Sequence, residues 1–387
     1  MGGGEPVYAH ERPEWPNFHW DASAFGATLA DVHFRRGALI TAMTALGFDA
    51  RQETVLSVLV QDVTKSSEIE GEHLDVTQVR SSIARRLGMD VAGLPPAARH
   101  IEGVVEMLLD ATGRFDAPLD AERLSGWHAA LFPSGRSNLR KIIVGAWRDD
   151  HEGPMMVLSG PLDRQRVHFE APAAERVPQE MDQFLAWFGT ARLDPVVQAA
   201  VAHLWFVTIH PFDDGNGRIA RAITDLALAR ADGTDQRFYS MSAQIERERT
   251  AYYEVLEVTQ RGGMDLTAWI VWFIDQLQAA LTSAEGVLER VRHKQGFWDV
   301  HRDVELNGRQ IKVLNKVLDG LNSKLRSSKY AALAGCSKPT AVRDLNDLVD
   351  RGILRVDPGA GGRSTSYLLT REGVGRQGAR TPDVEDG

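Results

Sequence analysis

Cysteine is almost absent from this chain: among 387 residues only Cys336 carries a thiol. One cysteine excludes an internal disulfide and any multi-cysteine metal site, and a reducing cytoplasm is the expected compartment. Long apolar runs are missing too. None approaches the roughly 20 residues that span a bilayer, so no membrane partner is expected. The opening MGGGEPVYAH has no basic stretch followed by an apolar one, so no secretory leader is expected either. Pro6 stands where a myristoylation signal needs Ser or Thr. What remains is the composition of a globular protein, 43% hydrophobic and 25% charged, long enough for two or three domains.

The net charge of −9 is unevenly spread. Between residues 306 and 376, thirteen Lys/Arg face six Asp/Glu, a local excess of +7 that leaves −16 on the rest. Charge segregated in this way marks a separate C-terminal module with an anionic partner of its own.

Periodicity divides the chain in the same place. An aromatic opening, RPEWPNFHWDASAF, reads as an irregular segment held down by its rings. Helical spacing of apolar residues predicts helices over 29–46, 54–63, 77–87, 97–113 and 121–131. The polar patch Thr64-Lys-Ser-Ser-Glu-Ile-Glu-Gly71 closes the second of these, with Gly71 as its breaker. Residues 142–168, rich in Val, Gly and Pro, predict one or two short hairpins. Helices resume over 178–188, 195–210, 215–230 and 242–260, and one long helix covers 266–292. Beyond Gly308 come helices at 310–321, 328–334 and 338–350, then strand-like segments at 353–356 and 364–369 around the turn PGAGGR. Three helices and a basic two-stranded wing predict a winged helix-turn-helix. The last residues, 373–387, read as disordered.

The densest chemistry lies in His210-Pro-Phe-Asp-Asp-Gly-Asn-Gly-Arg-Ile-Ala-Arg221. Gly215, Asn216 and Gly217 open a helix, where free N–H groups form an anion nest and glycines allow close backbone approach. Arg218 and Arg221 are three apart and share a face near that end, a pair of forks suited to a polyphosphate. Asp214 stands just before the nest, where a carboxylate holds Mg²⁺ between phosphates. His210 is the nearby group able to act as a base near neutral pH. A bland reading stays open from spacing alone: a capping turn ahead of a glycine-rich helix start, with the arginines on a solvated face.

The complete string resembles the HPFxDGNGRxxR motif of the Fic family, without departures. The resemblance implies an AMP transferase that uses ATP. His210 would deprotonate a Tyr, Thr or Ser hydroxyl of a target protein, and Asp214 would hold Mg²⁺. The amides of 215–217 and Asn216 would bind the α-phosphate region, Arg218 the β-phosphate and Arg221 the γ-phosphate. Phe212 would anchor the loop. Upstream, Ser66-Ser-Glu-Ile-Glu70-Gly71 fits the family's inhibitory pattern [S/T]xxxE[G/N]. Ser66 and Glu70 are four apart on one helical face; alone, such a pair is ordinarily solvated. With the motif downstream, the resemblance implies that Glu70 pairs with Arg221 and occupies the γ-phosphate clamp. Some family members also use this glutamate to remove AMP.

The same resemblance places a target-positioning hairpin, the flap, at 154–172, with Val167-His-Phe-Glu-Ala-Pro172 as its returning strand and His168 a surface residue. It places Arg247 and Tyr252, in SMSAQIERERTAYY, beside the adenine. It extends over residues 10–370 and implies a mainly α fold: a Fic-type helical bundle with a small β-hairpin flap, plus a C-terminal winged helix-turn-helix. The expected divisions are 1–105 (helical extension with the inhibitory helix), 106–290 (catalytic core), 291–307 (linker helix), 308–372 (winged helix) and 373–387 (tail). A homodimer fits such proteins, though no interface is legible.

Two other classes compete. A nucleotide-sensing regulator would bind DNA through 337–350, which offers Lys338, Thr340 and Arg343 but also Asp344, Asp347 and Asp350. A metallohydrolase would use His203, His210 and the Asp213/Asp214 pair. His203 lies on the apolar run HLWFVTIH, where a core histidine is the simpler account, and this reading leaves the arginines and the GNG nest unexplained.

Overall fold

The computed structural model describes residues 8–90, 93–137, 139–151, 153–159, 164, 166–321, 324–358 and 365–370. The tip of the expected flap, most of the PGAGGR turn and the tail 373–387 lie outside the described residues. The chain forms two compact units, Met1–Ala284 and Glu285–Gly387.

The first unit is built on a helix that is apolar all round. α7 (Pro195–Ile209) starts at Asp194, whose carboxylate accepts from the Val196 and Val197 amides, and Pro195 follows where no N–H is needed. From Ala199 to Ile209 every side chain is buried, which makes it the central helix. Each fully buried Val, Leu, Ile or Phe contributes roughly 1.5–3 kcal/mol. α8 (Asn216–Asp232) packs along it and ends at Gly233, whose φ of 64° closes the helix onto Ala229. Around this pair lie α1 (Gly26–Thr44), α2 (Phe48–Ile69), α3 (Val76–Arg86), α4 (Arg99–Gly113), α5 (Ala121–Leu131) and α6 (Val177–Thr190). α9 (Met241–Arg247), α10 (Arg249–Gln260) and the start of α11 (Thr267–Val300) complete the helical set.

Strands are few and short. β1 (Arg136–Ser137) pairs with β2 (Arg140–Lys141), and β3 (Met156–Ser159) pairs antiparallel with β4 (Arg166–Glu170), with a register shift between Val157 and Leu158. β4 is tied to α10, because Glu257 accepts from Arg166 at 2.8 Å and lies 2.6 Å from the His168 ring. The aromatic opening segment packs as its composition predicts: Phe18 meets Trp205 edge-on at 5.3 Å, and the Trp15 indole donates to Glu180.

A buried polar network joins the ends of these helices. Arg237 donates to Asp225 at 3.0 Å and to Asp232 at 3.2 Å, and Asp232 also accepts from Arg36 and Tyr239. Asp62 of α2 accepts from the Ser240 hydroxyl, which anchors α2 here, and burial raises its carboxyl well above the usual range.

The second unit has its own core. α12 (Gly308–Leu318), α13 (Ser327–Ala334) and α14 (Lys338–Asp350) enclose Val313, Leu314, Tyr330, Leu345 and Leu348. Asn307 and Gln310 cap α12 reciprocally, and Gly335, at φ 66°, makes the turn between α13 and α14. β5 (Leu354–Val356) and β6 (Tyr367–Leu369) pair antiparallel.

Several expected boundaries move. The second helix begins at Phe48 and not at 54, and the long helix runs on to Val300, into the expected linker. The helix expected over 242–260 is two, broken at Glu248, where neither Gly nor Pro stands to signal it. Among the described residues no helix is long and apolar enough to cross a membrane.

The network makes a stability prediction. Arg237→Met leaves Asp225 buried without its cation, so urea denaturation should show a loss of about 3–5 kcal/mol. An unchanged midpoint would mean that Asp225 is held neutral without Arg237.

Candidate active site

The site begins where α7 ends. His210 is the residue after the helix and takes φ 53°, ψ 57°, the left-handed conformation that costs a non-glycine residue roughly 1–2 kcal/mol. Arg148 holds that corner. Its guanidinium donates to the His210 carbonyl at 2.8 Å and to the Pro172 carbonyl, its backbone N–H donates to the Pro211 carbonyl, and Asp150 accepts from its remaining nitrogen. The His210 Nδ1 lies 3.3 Å from the Val207 carbonyl. A carbonyl only accepts, so Nδ1 bears the proton and Nε2 keeps its lone pair. Burial, with the Arg148 charge as a smaller contribution, lowers the imidazole pKa from 6.5 to about 4. It is therefore neutral at physiological pH.

The loop that follows is folded around Phe212. That ring is fully buried, stacked on His128 at 4.2 Å and in contact with Trp147. Asn216 closes the loop: its Nδ2 donates to the Phe212 carbonyl at 2.7 Å and its Oδ1 accepts from the Phe212 N–H at 3.0 Å. Both ends of the amide are thus engaged inside the loop, which differs from the expected contact of this side chain with a phosphate. Gly215 has φ 78°, which a side chain would strain, and it starts α8 with its N–H groups at the loop mouth.

Both arginines in the first turns of α8 meet carboxylates. Arg221 is buried; its Nε donates to the Ser66 hydroxyl at 2.8 Å, and its Nη2 donates to the Ser66 carbonyl at 2.7 Å and to Glu70 at 2.8 Å. Arg218 donates to Glu72 at 2.8 Å and lies over the Phe132 ring. Glu70 sits so close above the helix start that a Cβ on Gly217 would lie 2.1 Å from its Oε1. One nitrogen on each guanidinium, Arg218 Nε and Arg221 Nη1, is buried without a hydrogen-bond partner among the described residues. The Glu70 and Glu72 side chains, Phe132, Ser137, Asp214 and Arg218 line an open cavity of about 720 Å³.

Residues 118–228, which include all of this loop and most of α8, match the Fic/DOC family. They are a Fic/DOC domain. Residues 8–89 match a domain of unknown function, DUF4172. Curated relatives include a protein named protein adenylyltransferase Fic from Aedes aegypti, 24% identical over 234 residues that cover 57% of this chain and 41% of that one. Protein adenylyltransferase fic-1 of Caenorhabditis briggsae is 27% identical over 227 residues, 57% of this chain and 40% of that one. The chain spans about two-fifths of the length of these relatives. Among solved structures, a Fic family protein from Desulfovibrio desulfuricans G20 aligns at a TM-score of 0.51 with 22% identity, covering 91% of this chain and 97% of that one.

Within the Fic domain, Asp214 hydrogen-bonds the Ser137 hydroxyl and faces the cavity. Asp214 faces a cavity that Glu70, Glu72, Arg99, Arg136 and Arg218 also line, and its carboxylate would suit Mg²⁺ whose other ligands would come from phosphates and water. Asp213 points elsewhere and accepts from the Ile143 N–H. His203 uses both ring nitrogens on Thr224 and Tyr252, and burial lowers its pKa to about 3. It is a satisfied core histidine, and the His203–His210–Asp213/Asp214 donor set of the metallohydrolase reading is not assembled. Tyr252, expected beside adenine, is buried with its hydroxyl on His203. Arg247 bonds Gln244 and Ser283 and lines a separate small cavity with Phe238 and Ala280. The neighbouring Tyr253 is part-exposed and donates to the Ile69 carbonyl, next to Glu70.

Arg148 and Glu72 were missed in the sequence. Arg148 sits among the acids of RDDHEG, and its service to a carbonyl sixty residues on leaves no periodic trace. Glu72, two residues past Glu70, was within view, since it alternates with it about a turn glycine.

The buried imidazoles set the acid response. His210, His128 and His203 all have pKa values lowered by burial, so the unfolded chain takes up protons first as pH falls below 6.5. Their neutral forms favour the fold fully above that pH, and the contribution is lost progressively towards pH 4. NMR titration of His210 should show a neutral ring down to about pH 5, alongside a melting temperature that declines over that range. A His210 midpoint near 6.5 would contradict the geometry.

Proposed function

We propose that this protein transfers AMP from ATP to a hydroxyl of a target protein. The observation that carries the reading is one loop that sets a neutral, correctly tautomeric His210 beside an amide nest and two arginines. In this reading a Tyr, Thr or Ser hydroxyl gives its proton to His210 Nε2 as its oxygen attacks the α-phosphorus. The bond from that phosphorus to the bridging oxygen breaks on the far side, and pyrophosphate leaves. The amides of Gly215, Asn216 and Gly217 receive the charge that grows at the α-phosphate, and Arg218 and Arg221 hold the phosphates beyond. Asp214 would hold Mg²⁺, which supplies charge neutralisation between phosphates. The names of the curated relatives support the transferase class.

The protein is held silent by its own carboxylates in this reading. Glu70, with Ser66, occupies the Arg221 fork, and Glu72 occupies the Arg218 fork; a triphosphate needs both. The two differ in their partners: the Arg221 fork also takes the Ser66 hydroxyl and carbonyl, whereas Arg218 donates to Glu72, and both glutamates are part-exposed at the cavity. Residues 308–370, three helices and an antiparallel pair, are read as a winged helix-turn-helix.

Incorporation of label from α-phosphate-labelled ATP into protein tests the reading. Glu70→Gly should raise labelling by roughly tenfold to a hundredfold, the worth of one charge-assisted hydrogen bond. Glu70→Gly/His210→Ala should lose about a hundredfold or more of that while still binding ATP. Absence of label in all three proteins, with ATP bound, would end the transferase reading. Glu72→Ala, in contrast, should tighten ATP binding roughly two- to fivefold in calorimetry and leave the wild-type silence in place. If it releases activity as fully as Glu70→Gly does, the two carboxylates act as one lock.

A further inference from the structure

The aspartates of α14 make its sequence look unfit for a nucleic acid, and the fold removes two of them from consideration. Asp344 is buried, accepts from the Arg309 guanidinium at 2.8 and 3.0 Å, and accepts from the Tyr330 hydroxyl at 3.0 Å. Asp347 accepts from Gln310 at 2.7 Å and from Arg351 at 2.9 Å. Their charges are neutralised within the unit. Of the α14 acids, Asp350 alone keeps no ion-pair partner among the described residues.

The opposite face of the same helix is differently made. Ala341, Asp344, Leu345 and Leu348 point into the core, which leaves Lys338, Val342, Arg343 and Asn346 exposed along the first three turns. Arg326 and Lys329, at the start of α13, and Arg355, on β5, are exposed as well. None of Arg326, Lys329, Lys338, Arg343 or Arg355 has an ion-pair partner among the described residues.

We propose that this face binds duplex DNA, with α14 in the major groove. The proposal rests on the helix-turn-helix reading of α13 and α14 and not on the chemistry of the first unit. Charge complementarity alone would also suit an acidic protein, but the residues between the cations carry base-edge chemistry. An arginine fork matches the two acceptors of guanine, and an asparagine amide matches the acceptor and donor of adenine. Val342, one turn after Lys338 and one turn before Asn346, is an apolar contact for a thymine methyl. Residues in the N-terminal part of the second helix are the ones such a motif presents to base edges; Lys338, Val342 and Arg343 lie there, and Asn346 extends the same face by about one turn. Arg326, Lys329, Lys338 and Arg355 flank that line and meet phosphates, which position the helix without reading sequence.

The full chain, incubated with a pool of short duplexes carrying a randomised core, should enrich a defined sequence over rounds of selection. Anisotropy with the selected duplex should show affinity falling steeply with salt. Lys329→Ala should reduce the slope of log K against log salt by about one without changing the preferred sequence. Asn346→Ala should relax the preference at one base pair by roughly tenfold and leave the salt slope unchanged. These residues are exposed, so the variants should fold, and label transfer by each in a Glu70→Gly background should match its parent. Transfer that persists while no duplex is retained at about 50 mM salt overturns the DNA proposal alone. So would unaltered selection by an Arg343→Ala/Asn346→Ala variant. Tighter binding to polyglutamate than to any duplex would assign the face to an acidic protein surface.

Discussion

A single buried guanidinium joins the two halves of the first unit's chemistry. Arg221 enters the core from α8 and is met by Ser66 and Glu70 from the end of α2. A cation at that depth is stable only with acceptors around it, and α2 supplies them from residues far away in sequence. The contact does two jobs because of that. It satisfies a charge that the core could not otherwise hold, and it fills the place a phosphate oxygen would need. One nitrogen of the same group has no hydrogen-bond partner among the described residues.

The loop before α8 depends on a second constraint, the left-handed corner at His210. A corner of that kind is unfavourable for histidine and persists because neighbours over-determine it. Arg148 clamps its carbonyl, Asn216 ties the Phe212 backbone in both directions, and His128 stacks beneath the Phe212 ring. The imidazole is thereby aimed by groups that have no chemistry of their own. Burial that keeps the ring neutral comes from the same packing, so rigidity and neutrality share one cause.

Inhibition and packing are hard to separate in such a design. Asp62, about one turn before Ser66 on α2, is buried beside the Arg237 network, where burial raises its carboxyl well above the usual range. α2 is therefore fixed at its middle by burial and at its end by Arg221. Movement of Glu70 needs only the last turn and Gly71, whose φ of 82° already breaks the helix there. The boundary between the fixed and the releasable parts of α2 falls between those two anchors.

Much of this was legible in the chain itself. The apolar run of 195–209 announced a buried central helix, the glycines of 215–217 announced a helix opening at a close approach, and the four-residue spacing of Ser66 and Glu70 announced a shared face. These are local patterns, and the physics that produces them acts over one or two turns. The break at Glu248 was not legible, because no residue there has breaking chemistry, whereas the start of α2 at Phe48 carries a local signal, Gly47 at the cap and Asp49 in the first turn. Nor was the side chain of Asn216: an amide in a phosphate-binding string reads as a ligand, and only the folded loop gives it a backbone to hold. The orientation of Tyr252 and Tyr253 was decided in the same way, by which ring found His203 and which found the end of α2. The sequence by itself determined the helices, the reactive loop and the types of group available. Tertiary structure alone decided which carboxylate meets which arginine, which aspartates of α14 turn inward and which nitrogen of His210 is free, because those depend on contacts between residues that only folding brings together.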